Sequence, residues 1–183
     1  MSTKYERAFE LLRDAESFAF TRHLGQEYGD GSFVARHLKP VVDIVDIWTC
    51  HNADLMAAAW LHDVVEDTPT SVYEVEGQFG RQIASIVDFV TDQPGANRKE
   101  RHENTYHRIA RSTDAQIVKL ADRCANMQAC VQYKNTSLGS MYLKEWPQFK
   151  ALLCQPPIVD LWNTVEWGAV VPLQDFMRSQ KKL

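Results

Sequence analysis

Hydrophobic positions recur at three- and four-residue steps along most of this chain, the period of an α-helix packed on one face. In KYERAFELLRDAESFAFTRHL, residues 4–24, the stripe is Phe9, Leu12, Ala15, Phe18 and Ala19. Gly25 stops it, and GQEYGDGS reads as a loop. A second helix starts near Phe33 and carries His37, Val41, Ile44 and Val45, beginning or kinking at Pro40. ADLMAAAWLHDVVED is the third and most apolar helix, ended by Thr68-Pro69 because the residue before proline avoids the helical region. Ser71 and Glu74 have capping-box spacing for the next helix, which Gly77 and Gly80 break. RQIASIVDFVTD resumes the helical period and DQPGANRK is a loop. Residues 98–111 form a polar helix with Tyr106, Ile109 and Ala110 as its apolar spots. DAQIVKLADRCANMQACVQY is amphipathic, MYLKEWPQFKALL is helical with an interruption at Pro147, and the last stretch reads as helices plus irregular packing. IVDFV and VVDIVDI are short enough for strands but sit in helical contexts. The expected fold is all-α in one domain spanning 1–183.

Composition narrows the class. The chain has 183 residues, 45% hydrophobic and 24% charged, which suits a globular domain. A net charge of −4 argues against a general nucleic-acid binder, which shows a basic stripe. The charged N-terminal helix is unlike a signal peptide, and no apolar run nears the roughly 20 residues that span a bilayer. Cys50, Cys124, Cys130 and Cys154 form no CxxC pair, so we expect reduced thiols and a cytoplasmic protein without membrane partners.

The chemistry concentrates in WLHDVVEDTPT, where one histidine and three carboxylates (His62, Asp63, Glu66 and Asp67) follow the most apolar segment. On a continuous helix these groups gather on one face, where like charges repel. Near a core the repulsion grows, and acids at a helix C-terminus oppose the macrodipole. One answer is a helix end that turns outward into solvent. The other is a divalent cation, since histidine with carboxylates suits manganese, iron or zinc. Further ligands are available in Asp122, within VKLADRCANMQA, and in His37, within VARHLKPVVDIV. Asp122 is either a ligand or the ion-pair partner of Lys119 or Arg123, and His37 alone reads equally as a packed core residue.

The order H…HD…ED…D resembles the HD-domain phosphohydrolases, and more narrowly the small alarmone hydrolases, stand-alone relatives of the hydrolase domain of RelA/SpoT proteins. The resemblance rests on AAWLHDVVEDTPT, VKLADRCANM, FAFTRHLGQ followed by His37, and TSVYEVEGQFGRQIASIVDFVTD; it covers about residues 8–150, leaving 151–183 as a helical extension. It implies a compact helical bundle around a central metal site. His37, His62, Asp63 and Asp122 would hold one ion, usually manganese in this family. Glu66 and Asp67 would handle the attacking water, with Asn126 and Tyr142 near the nucleotide. The implied reaction removes pyrophosphate from the ribose 3′ position of ppGpp or pppGpp.

The chain departs from the family pattern after the H-x-x-Q segment. Basic residues usual there are replaced by Glu27, Tyr28 and Asp30, and the proline that usually follows the histidine is displaced to Pro40. Tyr28 could stack on a base, whereas two acids would repel phosphates. Compensating positive charge is sought in Arg98, Lys99 and Arg101, otherwise a solvated helix face, and in Arg36. The departure leaves room for another nucleotide substrate: an adenosine alarmone, a deoxynucleoside monophosphate or a nicotinamide dinucleotide 2′-phosphate. A sensor without turnover is the reading from a different class. Cys124, Cys130, Trp146, Trp162 and Trp167 are read as packing residues.

Overall fold

A computed structural model describes residues 3–180. Helix α1 spans Lys4–Arg22, capped by Thr3 and Glu6 reciprocally. A two-stranded antiparallel hairpin follows, β1 (Glu27–Tyr28) paired with β2 (Gly31–Ser32). The remaining helices are α2 (Lys39–Thr49), α3 (Ala53–Leu61), α4 (Val64–Asp67), α5 (Val72–Phe79), α6 (Arg81–Val90), α7 (Arg98–Ile109), α8 (Thr113–Gln132), α9 (Thr136–Leu153), α10 (Val159–Val165) and α11 (Val171–Gln180). π-Helical turns, Val34–Leu38 and Glu166–Val170, lead into α2 and α11. The architecture is the expected all-α bundle, and IVDFV and VVDIVDI lie in α6 and α2. No helix among the described residues is long and apolar enough to cross a membrane.

Two helices organise the core. In α3, Leu55, Ala57, Ala58, Ala59, Trp60 and Leu61 are all buried, so this helix is apolar around its girth and lies inside the bundle. It packs against α1, α2, α6 and α8. Helix α8 is the second pillar, touching α2, α3, α6, α7, α9, α10 and α11. Its buried face carries Asp122 and Arg123 among Leu120, Ala121, Cys124, Ala125 and Met127. Gly80 joins α5 to α6 at φ +84°, a conformation that costs an L-residue strain.

Several expectations need correction. The loop after Gly25 contains the small hairpin. The third helix is not continuous to Asp67: it ends at Leu61, and the chain re-enters helix at Val64 with Asp63 at φ −100°, ψ −4°. Pro147 does not interrupt α9. A proline inside a helix costs about 3 kcal/mol, here offset because Trp146, Phe149 and Leu153 are buried on the inner face. Ser71 caps α5 by accepting from the Glu74 backbone N–H, but the Glu74 carboxylate pairs with Arg22 rather than returning to the cap. Phe9 and Trp167, read as core, are 69% and 74% exposed. Each lies on the outer side of a helix whose inner side is filled by other residues, Ala15, Phe18 and Ala19 for α1.

The aromatic cluster between α7, α9 and α10 supports the cavity described next. Phe149 is fully buried against Tyr106, Trp146 and Trp162 at ring separations of 5.3–5.8 Å. Truncation leaves a cavity that the surrounding rings cannot fill. Phe149→Ala is expected to lower unfolding stability by about 3–5 kcal/mol in denaturant titration; a loss below about 1 kcal/mol contradicts this packing.

Candidate metal and active site

The break between α3 and α4 builds the site. His62 caps the end of α3 and is 1% exposed. Its Nδ1 donates to the Ala59 carbonyl at 2.8 Å, which leaves Nε2 of the neutral ring as an inward-facing lone pair. Asp63 leaves the helical path, so its carboxylate folds back to 3.1 Å from His62 Nε2. His37 comes from the π-helical turn, where the Lys39 N–H reaches the Val34 carbonyl. Such wide turns recur at functional sites. His37 Nε2 lies 3.2 Å from His62 Nε2, 3.1 Å from Asp63 Oδ2 and 3.5 Å from Asp122 Oδ1. Asp122 Oδ1 is 4.0 Å from His62 Nε2.

Two imidazole nitrogens and two carboxylates facing one another are unfavourable without positive charge between them. Histidine and carboxylate ligands bind at about 2.0–2.2 Å from an ion such as zinc, which sets neighbouring donors roughly 3 Å apart; the spacing seen here matches. His37, His62 and Asp63 form a cluster able to hold a metal, and Asp122 closes it from α8. The residues fit a divalent ion.

The same physics appears in the titration of these groups. Burial opposes charge on His62, yet the Asp63 and Asp122 carboxylates raise its pKa to about 9. Burial also opposes charge on Asp63, but His62 and His37 hold it well below its usual value. Asp122 is lowered likewise, against its burial, by Lys119 and the two histidines.

Beside this cluster lies a polar cavity of about 200 Å³, lined by Tyr28, Phe33, His37, Asp63, Glu66, Asp67, Asp92, Arg98, His102, Lys119, Asp122, Arg123, Asn126 and Tyr142. Glu66 and Asp67 are shifted opposite to Asp63 and Asp122. Burial raises the pKa of Glu66, with Asp92 and Asp63 adding to it against Lys119. Burial and Asp63 raise Asp67. Glu66 Oε2 accepts from the Asp92 backbone N–H at 3.1 Å, and the Asp67 carbonyl accepts from Gln26 Nε2 at 3.1 Å. The repulsion expected along one continuous helix is therefore handled differently. Helix α4 has four residues and little macrodipole, and the relevant counter-charge is Lys119.

Helix α8 contributes a stripe at i, i+3, i+4 and i+7: Lys119, Asp122, Arg123 and Asn126. Lys119 Nζ pairs with Asp122 Oδ2 at 3.0 Å, so Asp122 faces both the cluster and a lysine. Arg123 is 4% exposed; it donates to Glu145 Oε2 at 2.9 Å and Tyr106 Oη at 3.1 Å, and its guanidinium lies 4.6 Å from the Tyr142 ring centre. Glu145 also accepts from Arg98 Nε at 2.8 Å. Burial pushes Tyr142 up to about 12, and burial with Arg98 lowers His102 to about 4, so that imidazole is neutral at pH 7.

Of the residues singled out in the sequence, His37, Asp63, Asp122, Glu66, Asp67, Asn126, Tyr142, Arg98 and Tyr28 line this cavity, and His62 meets His37 and Asp63 at its edge. Lys99 and Arg101 do not line the cavity: Lys99 borders a neighbouring groove between α7 and α9, and Arg101 points to Asp92 at 3.8 Å. Glu27 and Asp30, the two acids that put phosphate binding in question, also lie outside it. Glu27 borders a separate depression, and Asp30 pairs with Arg36. Arg36 in turn lies over Tyr133, 4.5 Å from its ring centre, and is not a cavity residue. Asp92, His102 and the site-facing positions of Lys119 and Arg123 were not foreseen. For the last two, the spacing from Asp122 and Asn126 carried the signal.

A helical bundle closing two histidines and two carboxylates around one point defines a class, the HD-type metal-site domains. The family model described as HD domain matches residues 15–142, and the chain belongs to that family. It is 35% identical over 150 residues to the Mus musculus protein named guanosine-3′,5′-bis(diphosphate) 3′-pyrophosphohydrolase MESH1, covering 76% of this chain and 80% of that one. The Danio rerio protein of the same name is 34% identical over 128 residues, 64% of this chain and 68% of that one. The bifunctional (p)ppGpp synthase/hydrolase SpoT of Escherichia coli is 30% identical over 130 residues, 67% of this chain and 18% of that one. A solved structure described as a metazoan ortholog of SpoT that hydrolyses ppGpp superposes with a TM-score of 0.66 at 23% identity, covering 94% of this chain and 97% of that one. The superposition supports the fold.

Asp63 touches both histidines, so its loss removes one donor and frees the other two. Asp63→Ala is expected to weaken divalent-ion retention by about a hundredfold or more, beyond the roughly 10–100-fold that outer partners are worth. Elemental analysis after dialysis measures it, and wild-type retention in the variant contradicts the cluster as the metal site. Lys99→Ala, outside the cavity, should retain metal as the wild type does.

Proposed function

We propose that this protein is a metal-dependent pyrophosphohydrolase acting on the ribose 3′-diphosphate of (p)ppGpp, giving GDP or GTP and pyrophosphate. The observation carrying this reading is the separation of carboxylates into two kinds inside one cavity. Asp63 and Asp122 are held ionised against His37 and His62, while Glu66 and Asp67 are pushed toward protonation. Neighbouring carboxyl groups with opposite shifts divide into ligands and acid–base groups. The names of the MESH1 relatives support the substrate.

His37, His62, Asp63 and Asp122 would hold the ion, which we take to be manganese. A divalent ion held there would polarise a phosphoryl oxygen and lower the pKa of water. Glu66, fixed by the Asp92 N–H, takes the proton of the attacking water; Asp67 orients that water. Five carboxylates and three cationic side chains line the cavity, so the ion is what makes it receptive to a diphosphate. The cations Arg98, Lys119 and Arg123 lie on α7 and α8, which supports a reading in which the phosphates bind on that side and the nucleoside near Asn126 and Tyr142. Tyr28 also lines the cavity, in the segment where the family resemblance implies positive charge, and this favours a second reading in which another nucleotide, such as an adenosine alarmone, is preferred.

We read 1–183 as one hydrolase domain with a C-terminal extension, 151–183, whose described helices α10 and α11 pack on α8. The four cysteines are unpaired, which supports a reducing, cytoplasmic setting. The ligand is a small nucleotide rather than nucleic acid.

Product analysis tests the reaction. Metal-stripped protein is incubated with ppGpp, its adenosine counterpart and a deoxynucleoside monophosphate, each with and without manganese. GDP and pyrophosphate appearing with metal only is the expected result; cleavage of one of the others instead supports the second reading, and no cleavage by metal-loaded protein contradicts both. Glu66→Gln should retain the ion and lose about 10²–10⁴-fold in turnover, the range for a positioned base; a wild-type rate removes Glu66 from the mechanism. Because Glu66 must be ionised to act and its pKa is raised, kcat/KM should fall as pH drops through a value above the ordinary glutamate range. A limb at or below that range contradicts the assignment.

A further inference from the structure

Tyr28 sits on the hairpin at the place where the family resemblance expects basic residues, and the structure gives it two connections to the metal cluster. Its ring stacks on the His37 imidazole, with centroids 5.4 Å apart and planes 16° from parallel. Its hydroxyl donates to Asn126 Oδ1 at 2.6 Å. Asn126 Nδ2 then donates to Asp122 Oδ1 at 2.5 Å, the same oxygen that faces His37 Nε2. One side chain therefore touches two of the four donors, one through its ring and one through a relay. The hairpin is short, but it is tied at both edges: the Phe33 N–H bonds the Gln26 carbonyl, and Phe33 packs on both His23 and His37. Tyr28 is thus fixed by the same segment that delivers His37.

We propose that Tyr28 is a positioning residue for the metal donors, holding Asp122 Oδ1 through Asn126 and the His37 ring by stacking. The inference rests on the metal reading above but not on the identity of the nucleotide. Outer partners of metal ligands typically contribute 10–100-fold in affinity by fixing ligand orientation. The relay also sets the amide of Asn126: its oxygen accepts from Tyr28 and one N–H serves Asp122, leaving a second lone pair and a second N–H for a nucleotide. Tyr28 is accordingly tied to the ion whether or not a substrate is present.

Manganese affinity, measured by titrating metal-free protein in the absence of nucleotide, tests this directly. Tyr28→Phe keeps the ring and loses the relay, and should bind Mn2+ about tenfold more weakly, with the thermal midpoint of the metal-free protein unchanged. Tyr28→Leu loses both connections and should bind more weakly still. Asn126→Leu cuts the relay at its second link, so its effect and that of Tyr28→Phe should not add in the double variant. Wild-type affinity in Tyr28→Phe, or full additivity with Asn126→Leu, overturns the relay while leaving the metal site standing. Wild-type protein that binds no Mn2+ overturns the site and the relay together. A relay confirmed in a protein that cleaves no ppGpp would leave this inference intact and remove only the substrate reading.

Discussion

The structure depends on solving one electrostatic problem, the burial of several carboxylates and two imidazoles around a single cavity. Charges removed from water repel strongly unless they are paired. The bundle pairs them in two ways. On one side it converges His37, His62, Asp63 and Asp122 so that a single positive charge can serve all of them. On the other it brings Lys119 from α8 to Asp122 and near Glu66, and satisfies Glu66 with a backbone N–H. The first solution comes with two local departures from regular α-helix, the π-helical turn that delivers His37 and the break at Asp63. The departures are tolerated because their flanking helices are anchored in the core, α2 through Val41, Val42 and Val45 and α3 through Leu55 and residues 57–61.

Helix α8 shows how packing becomes chemistry. Its apolar positions set its rotation in the bundle, and that rotation aims Lys119, Asp122, Arg123 and Asn126 at one wall of the cavity. Arg123 then reaches outward to Glu145 and Tyr106, binding α7 and α9 to the same wall. The aromatic cluster around Phe149 lies directly behind: the Arg123 guanidinium is 4.7 Å from its ring centre. Stability and site geometry therefore share residues along this seam.

Much of this was legible beforehand. The 3.6-residue period identified the helices, and the histidine and carboxylate spacing, with the family resemblance, singled out His37, His62, Asp63 and Asp122, which the structure brings together, and the Glu66-Asp67 pair beside them. What periodicity could not reveal was the break at Asp63, because an apolar run continuing into a charged one looks helical throughout. Pro147 misled in the opposite direction: local propensity predicts an interruption, and burial of Trp146 and Phe149 overrides it. Lys99 and Arg101 looked equivalent to Arg98, but only Arg98 lies on the side of α7 that meets the cavity. The acidic character of the hairpin was visible, whereas the outward placement of Glu27 and Asp30 is tertiary information.

The cluster of two imidazoles and two carboxylates requires one positive charge, which an ion would provide in place of a proton. Calorimetric titration of metal-free protein with Mn2+ in buffers of different ionisation heat measures ion stoichiometry and proton release together. With His62 raised to about 9 by its carboxylate neighbours, one ion should bind per chain, with about one proton released near pH 7.5 because a ligating imidazole must be neutral. Binding without proton release, or no binding, would contradict it.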